Sequence, residues 1–277
     1  MDIPKRRLGR TGEEVTILGL GGEGILRTTG YEDDASRLIN RAIDLGITYF
    51  ESARAYEDSE VYYGHSLKER RKDLFLTSKS HARTKQGAFD HLAQTLKNMK
   101  TDHLDLWQVH DVRTREDMEQ LFGPDGAMEA FVQAKRDGRT RFIGITGHHD
   151  PAIIGACLDL FEFDTVLMPV NPAEPAYASF LAGVLPLASE KGLGIIGMKA
   201  YFRGFASRLP GYAGMEPFLR FALSQPVTTV IVGCDSVEQL EENVEMARNF
   251  QPMPRKESDE LVASVSPYAR QLMYYKP

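Results

Sequence analysis

Short runs of hydrophobic residues alternate with longer amphipathic stretches along the whole chain. The runs are rich in Val, Ile, Leu and Phe and predict eight strands, at residues 17–20, 47–50, 74–77, 104–109, 142–145, 165–168, 193–197 and 229–232. The stretches that follow them have hydrophobic positions at helical spacing and predict helices at residues 34–45, 57–68, 86–99, 126–136, 151–160, 179–191, 216–223 and 237–247. Each predicted strand is therefore followed by a predicted helix.

Repeated strand–helix units predict a parallel sheet with helical crossovers. Eight such units in a chain of 277 residues fit a closed (β/α)8 barrel, an α/β fold. The alternative is an open, doubly wound sheet, which needs a G-x-G-x-x-G turn that opens a helix after the first strand. Residues 19–24 contain glycines, but no helical pattern begins there, so the barrel is favoured.

Two segments fall outside the repeat. Residues 7–15 predict a β-hairpin with Thr11 and Gly12 at its turn. The tail predicts one more helix at residues 258–265, followed by an end rich in tyrosine. Because no linker-like composition divides the chain, we expect residues 1–277 to form a single barrel domain with an N-terminal hairpin and a C-terminal helical and aromatic tail.

Composition narrows the classes of function. Lys and Arg total 33 against 39 Asp and Glu, and a net charge of -6 argues against a nucleic-acid partner. No apolar run approaches the ~20 residues of a membrane helix, and the N-terminus lacks the apolar core of a signal peptide. The two cysteines are too few for a disulfide scaffold and fit a reducing compartment. We therefore expect a cytoplasmic protein with a small-molecule substrate, whose oligomeric state the sequence does not determine.

Polar residues follow three neighbouring predicted strands at their C-terminal ends, where parallel barrels gather their functional groups. Glu51 and Tyr56 follow the second strand, Lys79 the third and His110 the fourth. Each residue alone has an ordinary structural explanation, such as a solvated charge or a helix cap. Together, they predict general acid catalysis on a carbonyl group. In this arrangement the ammonium lowers the pKa of the phenol, the carboxylate orients the ammonium, and the imidazole positions the carbonyl oxygen.

Several motifs resemble those of the aldo-keto reductase family. Residues 49–56, YFESARAY, followed by Ser59 and Glu60, are similar to the family signature F-D-T-A-x-x-Y with its later S-E. Five further segments resemble, in order, the opening hairpin, the first strand, the third strand with its lysine, the fourth strand with its histidine, and the fifth strand: residues 8–12, 18–22, 74–79, 102–110 and 141–146. Residues 231–243 resemble the eighth-strand cofactor loop. The resemblance therefore spans nearly the whole chain.

The resemblance implies a (β/α)8 barrel that transfers hydride reversibly between a nicotinamide nucleotide and the carbonyl group of an aldehyde or ketone. It implies that Tyr56 is the general acid, that Lys79 tunes it and that His110 orients the substrate. Glu51 stands where the family has aspartate, so the charge is kept on an arm one methylene longer. A salt bridge between Glu51 and Lys79 is expected.

The resemblance also implies a cofactor that lies extended across the strand ends, without a metal ion. Thr146 stands where the family often has a carboxamide-binding serine, and Asn171 ends the sixth strand. Met198 aligns near a residue that stacks on the nicotinamide, and Lys199 is expected to meet the pyrophosphate. The other expected cofactor-binding residues are Gly21, Gly22, Gly233, Ser236 as a helix cap, Gln239, and Glu242 with Asn243 at the adenine edge.

NADPH is the expected cofactor, with NADH possible. NADPH-dependent members of the family often have Lys and Arg in the eighth-strand loop, where this chain has Gly233 and Gln239, with Asp235 close by. A carboxylate suits a ribose hydroxyl better than a 2′-phosphate. The preference between the two nucleotides is therefore open at this stage.

Two other functions also stay open. A non-catalytic sensor or regulatory subunit that binds a nicotinamide nucleotide on the same barrel is suggested by Glu51 in place of aspartate. A metal-dependent hydrolase would use His110, His148 and Asp150, but the chain lacks a His-x-His after its first strand. The physiological substrate is not identified by the sequence.

Overall fold

A computed structural model describes residues 1–277 and closes eight parallel strands into a barrel. An antiparallel hairpin of β1 (Lys5–Arg7) and β2 (Glu14–Thr16) precedes the barrel. The barrel strands are β3 (Leu18–Gly24), β4 (Tyr49–Glu51), β5 (Phe75–Ser80), β6 (Leu104–Val109), β7 (Thr140–Thr146), β8 (Thr165–Pro169), β9 (Gly194–Met198) and β10 (Thr229–Cys234). They follow one another in chain order, and β10 pairs with β3 to close the ring. The predicted fold class and hairpin are confirmed.

Twelve α-helices surround or extend the barrel. They are α1 (Glu32–Asp44), α2 (Ser59–Ser66), α3 (Lys85–Met99), α4 (Arg115–Phe122), α5 (Ala127–Arg136), α6 (Pro151–Leu160), α7 (Phe180–Gly183), α8 (Leu185–Glu190), α9 (Glu216–Ser224), α10 (Val237–Arg248), α11 (Arg255–Val265) and α12 (Ala269–Leu272). Short 3₁₀ turns fill several connections, among them Phe202–Arg208 after β9. No helix combines the length and the apolar character required to cross a bilayer.

The helix pattern differs from the prediction at three places, one of which is the short tail helix α12, which was not predicted. The single helix predicted at residues 179–191 is wrong, because Pro186 lies in the first turn of α8 and cannot donate the hydrogen bond that would continue α7 into it. The helix α4 was not predicted. Its start is set by a capping box, in which Thr114 accepts from the Asp117 backbone N–H and the Asp117 side chain accepts from the backbone of Thr114.

The hairpin packs against side chains that point into the N-terminal half of the barrel. Leu8 and Val15 form one buried cluster with five strand residues, Tyr49, Phe75, Leu106, Leu167 and Ile196. The main core of 55 buried residues contains strand residues together with residues of the surrounding helices. Because apolar side chains of the hairpin fill one end of the barrel, the C-terminal ends of the strands are left for polar groups.

The C-terminal tail is tied to the loop after β8 by a buried ion pair. Lys276 donates to Glu174 at 2.7 Å and to the backbone carbonyl oxygens of Tyr177 and Ala178. Tyr275 donates to Glu174 at 3.3 Å and accepts from the amide of Asn171 at 3.2 Å. The tail therefore lies against the mouth of the barrel, where the hydrogen bonds of Tyr275 and Lys276 hold it in place.

We expect Lys276→Met to destabilise the protein by about 3–5 kcal/mol, because it leaves the buried Glu174 carboxylate without its cation. Burial raises the pKa of Glu174 and Lys276 opposes that rise. Chemical denaturation monitored by circular dichroism measures the change. The double variant Glu174→Gln with Lys276→Met should recover most of the loss, and Lys256→Met, in an exposed pair, should change little. Equal losses in Lys276→Met and Lys256→Met would contradict the role given to burial.

Candidate active site

Four of the predicted site residues converge at the mouth of the barrel. Glu51 ends β4, Lys79 lies near the end of β5, and His110 follows β6 directly. Tyr56 lies in the turn that leads from β4 to α2, and its backbone N–H donates to Ala53. Because β4, β5 and β6 are hydrogen-bonded neighbours, their C-terminal ends bring these side chains to one place.

The centre of this cluster is a buried ion pair between Lys79 and Glu51. The two side chains are only 1% and 2% exposed, and the Lys79 Nζ contacts the carboxylate directly. Nζ also donates to the Ser52 carbonyl at 2.8 Å, and the Glu51 Oε2 accepts from the Gly22 backbone N–H at 2.7 Å. Burial lowers the pKa of Lys79, whereas the adjacent carboxylate favours the charged ammonium. The longer arm of glutamate thus still reaches the lysine.

Tyr56 is held between charged groups and the imidazole of His110. The Lys79 Nζ lies 4.6 Å from the centroid of the Tyr56 ring, and the Arg27 guanidinium carbon lies 4.9 Å from it. The ring of His110 meets it edge to face, with centroids 5.8 Å apart. Burial raises the pKa of Tyr56, with the Glu23 carboxylate adding to the rise. The expectation that Lys79 lowers the pKa of Tyr56 is therefore wrong, because burial of the hydroxyl outweighs the effect of the nearby cations.

His110 is a neutral imidazole in this setting. Burial lowers the pKa of His110 well below its ordinary value, and the positive charge of Lys79 adds to the effect. Its backbone N–H donates to the Ser80 carbonyl at 2.8 Å, which fixes the residue at the end of β6. Nδ1 is buried without a partner, so Nε2 is the nitrogen that remains for a ligand.

Two adjoining depressions open at the strand ends. The first, called the groove here, has a volume of about 450 Å³. The second, called the cavity here, has a volume of about 720 Å³. Five residues line both depressions and stand where the two meet: Glu23, Tyr56, Met198, Lys199 and Arg203.

Most of the predicted cofactor-binding residues lie in the groove. It is lined by Gly21, Met198, Lys199, Gly233, Gln239, Glu242 and Asn243, together with Glu51 and Tyr56. Thr146 lines the cavity, beside Lys79 and His110. Seven of the eleven predicted cofactor-binding residues therefore line the groove, and an eighth lines the cavity.

Three predicted residues line neither depression. Gly22 contributes its backbone N–H to Glu51. Ser236 caps α10, as expected, by accepting from the Gln239 backbone N–H. The Asn171 amide is fully buried, donates to Tyr275 and Lys199, and accepts from the Ala173 N–H, so its polar atoms are bonded within the protein.

The sequence analysis missed a cluster of charges around Glu23. Arg203 approaches this carboxylate to 2.9 Å, Arg27 to 3.2 Å and Lys199 to 3.7 Å. Burial alone would raise the pKa of Glu23, but the cations, Lys199 first among them, hold it below its ordinary value. Glu23 lies near the end of β3, so the same rule that selected polar residues at strand ends would have selected it.

The Glu60 of the signature motif has a structural role. Its buried carboxylate forms an ion pair with Arg54 and accepts from Ser78, Thr95 and Asn98 at 2.8, 2.7 and 3.1 Å. These bonds join α2 to β5 and α3. The motif therefore combines a residue of the mouth, Tyr56, with a residue that anchors the helix after it.

The arrangement gives no support to a metal centre at His110, His148 and Asp150. No group of three or more His, Cys, Asp or Glu side chains is placed to hold a metal ion. Asp150 instead caps α6 by accepting from the Ala152 backbone N–H at 2.8 Å, with Pro151 in the first turn.

Comparison with known proteins gives a consistent assignment. The sequence profile of the Aldo/keto reductase family matches residues 17–210. The chain is 26% identical to the L-galactose dehydrogenase of Arabidopsis thaliana, over 87% of each chain. Its fold is similar to the holo form of the aldo-keto reductase AKR11C1 from Bacillus halodurans, with a TM-score of 0.80, 23% identity and coverage of 95% and 96%. An aldo-keto reductase from Klebsiella pneumoniae in complex with NADPH has a TM-score of 0.78, 17% identity and coverage of 96% of each chain.

We expect thermal stability to fall as the pH drops below about 6.5, because unfolded histidines take up protons near pH ~6.5. Burial lowers the pKa of His148 to about 4, and burial also lowers the pKa of His110 well below its ordinary value. Between the pKa of the folded histidines and that of the unfolded histidines, the unfolded state therefore binds more protons. The stability that is present above the unfolded pKa is lost as the pH falls toward the pKa of the folded state. Melting temperatures of the wild type and His148→Gln between pH 8 and pH 4 test this. The variant should lose less stability than the wild type, and parallel curves would refute the contribution of His148.

Proposed function

Because this chain belongs to the aldo/keto reductase family, we propose that it reduces an aldehyde or ketone to an alcohol, with NADPH as cofactor and Tyr56 as general acid. The observation that carries the proposal is the packing of Tyr56 against Lys79 and His110 at the meeting point of the groove and the cavity. The proposal takes residues 1–277 as one catalytic unit.

The residues of the groove fit a nicotinamide dinucleotide. Gly21 lets β3 and β10 approach each other closely beside the groove, since a Cβ at Gly21 would come within 3.2 Å of the Gly233 nitrogen. Lys199 and Arg203 provide positive charge for the phosphates. Bound NADPH supplies the hydride. The NADPH complex of the Klebsiella pneumoniae protein supports the same use of this fold.

His110 and Tyr56 act on the oxygen of the carbonyl. The neutral imidazole donates from Nε2 to that oxygen and orients it, because its Nδ1 is buried without a hydrogen-bond partner. The raised pKa of Tyr56 keeps its hydroxyl protonated at neutral pH, so it has a proton to transfer as the oxygen gains charge. The Oη proton moves to the oxygen of the product alcohol and is later replaced from solvent.

Lys79 stabilises the charge that the proton transfer leaves on Tyr56. Its ammonium lies 4.6 Å from the ring centroid, so a positive charge faces the phenolate as it forms. Glu51 keeps the ammonium in place. Since glutamate maintains the contact in place of aspartate, the substitution gives no ground for preferring a sensor that binds nucleotide without turnover.

We expect Tyr56→Phe to lower kcat/KM for an aldehyde by about 10²–10⁴-fold, the usual contribution of a positioned general acid. Binding of NADPH, followed by fluorescence titration, should change less than about twofold, since stacking and charge in the groove remain. Tyr31→Phe, at an exposed tyrosine, is the control and should retain full turnover. Full activity in Tyr56→Phe would remove this residue from the mechanism.

We expect the ratio of kcat/KM with NADPH to that with NADH to exceed one, but by less than about tenfold, or 1.4 kcal/mol. The groove carries two cations, Lys199 and Arg203, but its carboxylates Asp235 and Glu242 oppose a 2′-phosphate. Steady-state rates with one aldehyde and both nucleotides measure the ratio. Asp235→Asn should raise it by removing a repulsive charge, and a wild-type ratio well below one would overturn the assignment of NADPH.

A further inference from the structure

A second cation lies beside Tyr56 and has no part in the mechanism above. The guanidinium carbon of Arg27 lies 4.9 Å from the centroid of the Tyr56 ring, about as near as the Lys79 Nζ at 4.6 Å. Arg27 lines the cavity together with Tyr56 and His110, but it does not line the groove. Its charge therefore faces the proposed general acid from outside the proposed cofactor site.

The loop that carries Arg27 is tied to the turn that carries Tyr56. Arg27 ends the 3₁₀ turn that follows β3. The carbonyl oxygen of the next residue, Thr28, accepts from the Tyr62 hydroxyl at 2.9 Å and from the Asp58 backbone N–H at 3.3 Å. Because Asp58 follows Tyr56 by only two residues, these bonds hold the backbone of Arg27 beside the tyrosine.

Two carboxylates fix the guanidinium of Arg27 over the ring. Arg27 donates to the Glu23 carboxylate at 3.2 Å and lies 3.4 Å from the Glu57 carboxylate. A guanidinium presents five N–H donors in a planar fork, so it can bind two carboxylates at once. Since Glu23 belongs to β3 and Glu57 to the turn after β4, the cation is held from two separate segments.

The charges around Tyr56 give Arg27 a particular weight. The ammonium of Lys79 is already paired with a buried carboxylate. Burial raises the pKa of Tyr56 and Glu23 adds to the rise, whereas Arg27 is the cation that opposes it most, ahead of Arg203. A negative charge that forms on Tyr56 is therefore attracted by Arg27, and the attraction is stronger in this partly buried setting than in water.

We propose that Arg27 is a positioning residue that acts through Tyr56: its guanidinium holds the ring in the mouth and stabilises the charge that proton transfer leaves there. In that step the carbonyl carbon receives the hydride of NADPH and the carbonyl oxygen receives the Oη proton, so the negative charge remains on Tyr56. A cation over a neutral ring gains further as this charge develops, and Arg27 therefore lowers the barrier more than it aids binding. The inference rests on the proposed carbonyl reductase function.

Removal of the charge tests the inference. Arg27→Gln keeps a planar hydrogen-bonding group but has no charge. We expect it to lower the single-turnover rate of NADPH oxidation at saturating propanal about tenfold, because the developing phenolate loses a facing cation. The KM for propanal and the affinity for NADPH, measured by fluorescence titration, should change less than about threefold.

Two further variants separate charge from shape. Arg27→Lys keeps the charge and should lose clearly less activity than Arg27→Gln. Equal losses in the two variants would overturn the inference. Arg37→Gln is the matched control, since Arg37 forms an exposed pair with Asp34 on α1, and it should keep the rate of the wild type.

The same substitution in a Tyr56→Phe background shows whether Arg27 acts through Tyr56. This background keeps the ring but has no Oη proton, so no charge forms on it. We expect Arg27→Gln to lower the residual single-turnover rate less than about twofold there, against about tenfold in the wild type. A merely structural role, in packing or in placing the cofactor, would lower both rates by the same factor, and that result would refute the proposal.

The outcomes distinguish this inference from the function on which it rests. If Tyr56→Phe retains full turnover, the proposed general acid fails and the inference falls with it. If Tyr56→Phe loses its activity but Arg27→Gln matches the wild type, the reductase function stands and the role of Arg27 is refuted. Melting temperatures show whether each variant is folded. Should Arg27→Gln melt well below the wild type, Arg27→Met takes its place in both backgrounds.

Discussion

The mouth of the barrel depends on one buried ion pair, between Lys79 and Glu51. Taking two charges out of water costs several kcal/mol for each ion, and their attraction repays this only when the remaining polar atoms are bonded. Here the Ser52 carbonyl and the Gly22 N–H supply those bonds. The ends of three consecutive barrel strands, β3, β4 and β5, therefore have to stay in one register. Tyr56 and His110 are positioned around the Lys79 ammonium that this register fixes.

Two other buried carboxylates around the mouth also need polar partners to offset their lost hydration. Glu60 is buried with four polar partners beneath the turn that carries Tyr56, and Glu174 is buried with Lys276 beneath the tail. Each buried carboxylate joins segments that are far apart in the chain: Glu60 joins α2 to α3 through Thr95 and Asn98, and Glu174 joins the loop after β8 to the tail through Lys276. The mouth is thus held by satisfied buried charges, whereas the opposite end of the barrel is filled by the apolar cluster that includes Leu8 and Val15.

Features that follow from local pattern were predictable from the sequence. Strand and helix periods gave the barrel, and the position of a polar residue after a strand gave Glu51, Lys79 and His110. The break between α7 and α8 was within reach, since Pro186 is visible in the chain. The inward bonding of Asn171 was not, because it depends on Tyr275, more than a hundred residues away. The raised pKa of Tyr56 likewise results from burial by several segments of the chain, and the spacing of residues in the sequence does not predict that burial.

The charge at the mouth of the barrel differs from the net charge of the whole chain. This difference affects how an anionic cofactor is recognised. The chain as a whole carries a net charge of -6, which repels a dinucleotide at long range. That repulsion is screened beyond the Debye length of about 8 Å at physiological ionic strength. Within that distance Arg27, Lys199 and Arg203 lie around Glu23, and Arg27 also pairs with Glu57, so three cations face two carboxylates at this cluster. The phosphate contacts proposed above are therefore short-range contacts at this cluster, where a phosphate competes with Glu23 for the same cations.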